Sequence, residues 1–149
     1  MLYVAYGSNM NLDQMEYRCP NSKIIGNGII YNYKLVFNVH ADIIKSENAK
    51  TPVVVWDISD EDWPMLDIYE GYPEYYIRKN ISVKLDVGEN KTAVVYVMND
   101  KHKGICPPTT RYFQSIIDGC ISNNIDTQYL FDAFKYACEN ETEYNQYVR

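Results

Sequence analysis

Residues 2–10, Leu2-Tyr3-Val4-Ala5-Tyr6-Gly7-Ser8-Asn9-Met10, are the stretch from which the fold is read. Leu2 to Ala5 predicts a short first strand, and Tyr6-Gly7-Ser8-Asn9 ends it in a turn-rich group. Gly7 lets the chain turn sharply there. Residues 11–18 then predict a short helix with Leu12 and Met15 on one face. Asn9 or Asn11 caps it, and Pro20 lies just beyond its end. At such a turn, successive backbone N–H groups of Gly7, Ser8 and Asn9 can converge on a carboxylate or a developing oxyanion. The same residues equally describe a plain strand-to-helix turn with an Asn cap.

Working outward, residues 33–39 alternate, with Leu35, Phe37 and Val39 pointing one way. Residues 40–50 are polar and read as a loop. Residues 53–56 are continuously apolar, as in a strand buried on both faces. Residues 59–69 are helix-like, with Ser59 and Asp62 resembling a capping box and Leu66 and Tyr69 sharing a face. Pro64 fits only if the first turn is loose or the regular helix starts late. Tyr76 to Leu85 alternates through Ile81, Val83 and Leu85. Gly88-Glu89-Asn90 forms a hairpin turn, and residues 93–98 return as a strand.

After a loop over residues 99–108, Thr109 or Thr110 caps a helix running to about Cys120. Its apolar positions are Tyr112, Phe113, Ile116, Ile117 and Cys120. Asp126 caps a last helix carrying Leu130, Ala133, Phe134 and Ala137, and the polar tail after Glu139 is expected to fray. The order β-α-β-β-α-β-β-α-α predicts one α+β domain over residues 1–149. It lacks the strict βαβ repetition of a doubly wound sheet.

The bulk numbers narrow the function. A hydrophobic fraction of 46% supports a packed core. A net charge of -6 without a basic stripe disfavours a nucleic-acid partner. No apolar run reaches the length of a membrane span, and the N-terminus lacks the features of a signal peptide, so a cytoplasmic location is expected. Cys19, Cys106, Cys120 and Cys138 form no CxxC pair and read as free thiols. His40 and His102 lie far apart in sequence and near no obvious ligand cluster, so no metal site is expected, and Gly7-Ser8-Asn9 lacks the further spaced glycines of a dinucleotide-cofactor fingerprint. Tyrosine is the outlier, with 15 copies, mostly for packing and a few to line a pocket.

A second constellation is Leu66-Asp67-x-x-Glu70-Gly71-Tyr72-Pro73-x-x-Tyr76-x-Arg78. Glu70 follows an apolar helical face and precedes a glycine turn. Either it is a solvated helix end, or its carboxylate is partly buried and raised toward neutrality, which suits proton transfer. A negative group at a helix C-terminus is mildly unfavourable and leans toward the second reading. Asp67, one turn earlier, is a neighbouring carboxylate that competes for the role. Arg78 either balances Glu70 or sits on a strand surface.

The two constellations together resemble the gamma-glutamylcyclotransferase family. Residues 3–10 are similar to that family's substrate loop after its first strand, and Leu66-Asp67-Ile68-Tyr69-Glu70-Gly71 is similar to the segment carrying its catalytic glutamate. Lesser agreements run through residues 28–37, Trp56-Asp57-Ile58-Ser59, Tyr76, Arg78, and Pro108 with Tyr112, Ile116 and Gly119. The resemblance implies a small mixed β-barrel with flanking helices and a pocket between the loop and the glutamate. It implies release of 5-oxoproline and a free amine from a small gamma-glutamyl substrate, with Glu70 as the acid–base residue. On that reading the Gly7, Ser8 and Asn9 backbone binds the substrate carboxylate or the oxyanion, Tyr6 closes the pocket or packs beneath the loop, and Tyr76 and Tyr96 either donate hydrogen bonds to the substrate or pack in the core. The alternative is a non-catalytic small-molecule binding module of the same fold.

Overall fold

In the computed structural model, which describes residues 1–142, five strands close into a barrel in the order β1-β3-β2-β4-β5. Strand β1 (Leu2–Ala5) is followed by a 3-10 turn (Ser8–Met10) and helix α1 (Leu12–Arg18). Asn11 is the residue that caps α1, its side chain accepting from the Gln14 N–H at 3.1 Å. Met15 is fully buried, whereas Leu12 is exposed, so the expected two-residue apolar face reduces to Met15.

Strands β2 (Lys23–Asn38) and β3 (His40–Asp57) form one long antiparallel hairpin. The expected loop over residues 40–50 is therefore strand. Ala41, Asp42 and Ile43 pair with Phe37, Val36 and Leu35 and are buried, while Lys45 to Lys50 lie largely outside the core. The hairpin turns at Val39, which has φ of 68° and so leaves the expected strand face. A β-branched residue in the left-handed region is rare, which is why no turn signal was legible there. Cys106 helps to hold it: the Val39 N–H donates to the Cys106 carbonyl at 2.9 Å, and the Cys106 N–H donates to the Phe37 carbonyl at 3.1 Å. Val53, Val54, Val55 and Trp56 are all buried, as their continuous apolar run predicted.

Helix α2 (Trp63–Glu70) starts late enough to place Pro64 in its first turn, where no N–H is needed. Ser59 and Asp62 do not form a capping box. The Asp62 carboxylate instead accepts from the Asn21 N–H at 2.9 Å and the Ser22 hydroxyl at 2.7 Å, tying the start of α2 to the entry of β2. Gly71 ends the helix at φ 66°, ψ 32°, a left-handed cap suited to glycine.

Strands β4 (Tyr76–Leu85) and β5 (Asn90–Met98) form the second hairpin, with Ile81, Val83 and Leu85 inward. A parallel pairing of Tyr3 with Val94 closes the barrel. Helix α3 (Thr110–Ser122) is capped by Thr109. Helix α4 (Gln128–Glu139) has Thr127 at its cap position, while the Asp126 carboxylate accepts from the Gln128 N–H at 2.8 Å. The expected fraying after Glu139 falls mostly on residues 143–149, outside the described residues. Among the described residues, no helix is long and apolar enough to cross a membrane.

Gly119 locks α3 against the first loop. A Cβ there would lie 2.9 Å from both the Asn11 N and the Met10 carbonyl carbon. Backbone cannot yield as a flexible side chain does, so Gly119→Ala is expected to lower stability by about 1–3 kcal/mol. Thermal and urea denaturation will check it, with far-UV circular dichroism showing that the helices remain.

Candidate active site

The chain leaves β1 through Tyr6 and Gly7 into the 3-10 turn. Gly7 has φ of -123°, so glycine is not needed there for a left-handed conformation. It supplies clearance instead: a Cβ would approach Ala41 Cβ at 3.2 Å and the Tyr112 hydroxyl at 3.4 Å. Ser8 and Asn9 are buried. Among the described residues their backbone N–H groups have no protein acceptor, as the first donors of a helical turn ordinarily lack one.

Asn9 is gripped on every polar atom of its carbonyl and side chain. The Trp56 indole N–H donates to its backbone carbonyl at 3.2 Å. The Arg18 guanidinium donates to its Oδ1. Its Nδ2 donates to the Tyr3 hydroxyl at 3.0 Å and to Glu70 Oε1 at 3.2 Å. The Asn9–Glu70 bond joins the first loop to the end of α2 across 61 positions of sequence.

Glu70 is the last residue of α2 and is half-buried. Burial raises its carboxyl pKa from an ordinary 4.5 to about 7. The nearby Arg18 charge and a hydrogen bond from Tyr3 pull it down, and the charge of Asp67 pushes it up. Asp67 has the opposite setting. Its carboxylate accepts from Arg78 Nε at 2.9 Å, from Arg78 Nη2 and from the Tyr96 hydroxyl. Arg78 thus pairs with Asp67 and does not balance Glu70; the cation on the Glu70 side is Arg18.

Glu70 and all six expected substrate-side residues, Tyr6, Gly7, Ser8, Asn9, Tyr76 and Tyr96, line one cavity of about 340 Å³. Among the described residues, Glu70 is the one carboxylate on its wall. Three of the tyrosine hydroxyls point their protons into the protein. Tyr6 donates to the Tyr96 carbonyl, Tyr76 to the Ala41 carbonyl at 2.6 Å, and Tyr96 to Asp67. Their rings are walls, and the expected donation by Tyr76 and Tyr96 is already committed to protein acceptors.

Sequence reasoning missed several lining residues. Tyr3 read as an ordinary strand residue, Tyr112 as part of a helical face and His40 as loop. All three line the cavity. The Tyr112 hydroxyl accepts from the Ala41 N–H at 3.1 Å, which leaves its own proton available. His40 and His102, distant in sequence, both pack on the Tyr75 ring, with centroids 5.8 and 4.8 Å away. Burial lowers the pKa of His40. Among the described residues no group of His, Cys, Asp and Glu is arranged to hold a metal ion.

A closed five-stranded barrel, flanked by helices and with one desolvated carboxylate facing a strand-to-turn loop, defines a small-barrel protein with a single-carboxylate pocket. The chain belongs to the family described as gamma-glutamyl cyclotransferase, AIG2-like, which matches residues 3–114. A Methanocaldococcus jannaschii protein whose name provisionally assigns it as a gamma-glutamylcyclotransferase is 32% identical over 78 residues. That match spans 51% of this chain and 65% of the relative, just under two thirds of its length. The fold is shared with a structure described as a gamma-glutamyl cyclotransferase (TM-score 0.80, 24% identity, 89% of this chain and 85% of that one). It is also shared with an uncharacterized Homo sapiens protein (TM-score 0.78, 23% identity, 89% and 85%). Bacillus subtilis YkqA aligns at TM-score 0.75 and 17% identity over 95% of this chain and 55% of its own.

The raised Glu70 pKa has a consequence for stability. The folded protein holds the Glu70 proton more tightly than the unfolded chain does, so this group's contribution falls as pH rises from 4.5 to about 7 and stays lost above that. Glu70→Gln removes the ionisation. It is expected to stabilise the protein by about 1–3 kcal/mol at pH 8 and to have little effect at pH 4. Melting temperatures of both proteins at the two pH values decide it. An equal change at both would mean that the carboxylate is not desolvated.

Proposed function

We propose that this protein is a gamma-glutamylcyclotransferase, converting a gamma-glutamyl amine or peptide to 5-oxoproline and a free amine. The observation that carries this reading is the Glu70 carboxylate, raised to about 7 by burial and hydrogen-bonded to the loop from Gly7 to Asn9 across one cavity. Family membership and the shared fold support it.

The reaction is an intramolecular aminolysis. The α-amine of the gamma-glutamyl group attacks its own side-chain carbonyl and closes a five-membered ring, so the two reacting groups are already tethered. Ionised Glu70 takes a proton from the attacking nitrogen as the new C–N bond forms. It returns that proton to the leaving nitrogen as the old C–N bond breaks, ending as the carboxylate again. A carboxyl group poised near pH 7 suits both halves, because neither protonation state is far out of reach.

The backbone N–H groups of Ser8 and Asn9 supply donors for the anionic part of the substrate, with Tyr112 as a further donor beside Gly7. The tyrosine walls exclude water and strengthen each of these interactions. Asp67, tied to Arg78 and Tyr96, supports the site through Tyr96 and does not exchange protons with substrate.

Incubation with a panel of gamma-glutamyl amines and peptides, reading 5-oxoproline, tests the proposal. On an active substrate, kcat/KM is expected to fall as pH drops through about 7, where Glu70 gains its proton. Glu70→Gln is expected to lose about 1,000- to 10,000-fold, at the upper end for general acid–base groups, because the same group serves twice. Asp67→Asn is expected to lose less. Near-wild-type turnover by folded Glu70→Gln would defeat the mechanism, and a greater loss in Asp67→Asn would move the proton transfer to Asp67.

A further inference from the structure

Glu70 is presented to the cavity by a neutral amide, and what fixes that amide is Arg18. A carboxamide has two ends of similar shape and opposite hydrogen-bonding character. If the Asn9 side chain turned over, Oδ1 would face the Glu70 carboxylate and the Tyr3 hydroxyl, and the loop would repel the group it holds. Arg18 prevents this by donating to Oδ1, since a guanidinium has donors and no acceptor. The Arg18 guanidinium also lies over the Tyr69 ring, 3.3 Å from its centroid, and Tyr69 immediately precedes Glu70. The Tyr69 hydroxyl in turn lies 3.3 Å from the Ser8 hydroxyl. One guanidinium therefore touches both the loop and the turn of α2 that carries the carboxylate, yet it makes no direct hydrogen bond to Glu70. It sits at the C-terminal end of α1, where a cation is favoured.

We propose that Arg18 is a positioning residue: by holding Asn9 Oδ1 and stacking on Tyr69, it keeps the Asn9 amide donating to Glu70 and keeps the carboxylate turned toward the Ser8–Asn9 loop. The inference rests on the reading of Glu70 as the proton carrier. The groups around Glu70 make Arg18 distinctive. Tyr3 faces it from β1, Tyr6 lies just beyond β1, Tyr76 comes from β4 and Tyr112 from α3, all neutral. Cys19 follows α1 and has a thiol pushed up to about 11. Among the described residues the charges that act on Glu70 are Arg18 and Asp67, and Asp67 is already paired with Arg78; His40 lines the same cavity, and burial lowers its pKa.

The role separates into two measurable parts. Arg18→Met removes the charge and the fork while keeping an unbranched side chain. It is expected to move the acid limb of kcat/KM upward from about 7, because an opposing cation is lost. It should also lower kcat about tenfold to a hundredfold, the scale of a mispositioned group. Arg18→Lys restores the charge but neither the planar fork nor the flat stack. It is expected to return the limb to its wild-type position while kcat stays depressed. A merely structural arginine would lower the melting temperature of both variants and leave the limb unmoved.

The Glu70 carboxyl can also be followed directly by carbon-13 NMR in glutamate-labelled protein, with its signal assigned by its absence in Glu70→Gln. An upward midpoint in Arg18→Met, reversed in Arg18→Lys, is expected whether or not any tested gamma-glutamyl compound turns over. A failed activity assay with a moved midpoint would therefore count against the proposed reaction alone. An unmoved midpoint together with an unchanged kcat in folded Arg18→Met overturns the role of Arg18. If Arg18→Met does not fold, Arg18→Lys decides it: wild-type kcat in that variant overturns the proposal.

Discussion

The hydrogen bond from Asn9 Nδ2 to Glu70 is the interaction on which the rest of this site depends. It joins the first loop to the end of α2, which the barrel brings to the same mouth. Its donor is neutral, and that matters. A cation bonded directly to Glu70 would favour the ionised form and pull its pKa down. An amide holds the carboxylate in place while leaving burial as the largest influence on its proton affinity. Arg18 stands one group further back, orienting the amide without forming an ion pair with Glu70.

Two carboxylates on one short helix show how completely surroundings decide chemistry. Asp67 and Glu70 lie three residues apart in α2. Asp67 faces a strand arginine and a tyrosine hydroxyl, which together donate to both of its oxygens. Glu70 faces aromatic rings, the Tyr3 hydroxyl and the Asn9 amide, and burial disfavours its charge. One carboxylate is thus tied into a hydrogen-bonded cluster between α2, β4 and β5, while burial is the largest influence on the other. The tyrosines contribute mainly by apolar area. With Tyr6, Tyr76 and Tyr96 donating to acceptors in the protein, the cavity gains low-dielectric walls without unsatisfied hydroxyls behind them.

The region matching the family ends inside α3, at residue 114. Beyond it, Gly119 packs on the loop that carries the site, and α4 contributes the buried Leu130, Ala133 and Ala137 to the core. The C-terminal part of the described chain thus braces the barrel and its first loop, while Tyr112 is the residue of α3 that reaches the cavity.

The sequence by itself determined the order of elements, the α+β class and the two short segments whose carboxylate and loop meet in the fold. Those features are local. Period-two alternation in Tyr76–Leu85, the helical spacing of Phe113, Ile116 and Cys120, and the turn chemistry around Gly71 each act within a few residues of their cause. It did not disclose the strand over residues 40–50. Ala41 to Ile43 owe their extended form to pairing with β2, and the turn at Val39 depends on Cys106. Nor did it disclose that Arg78 belongs to Asp67, that Arg18 reaches Asn9, that Tyr112 lies over Gly7, or that His40 and His102 share Tyr75. Those are meetings between separate elements. Which residues meet there is decided by barrel closure, strand register and helix packing, and the proton affinity of Glu70 follows from the burial they create.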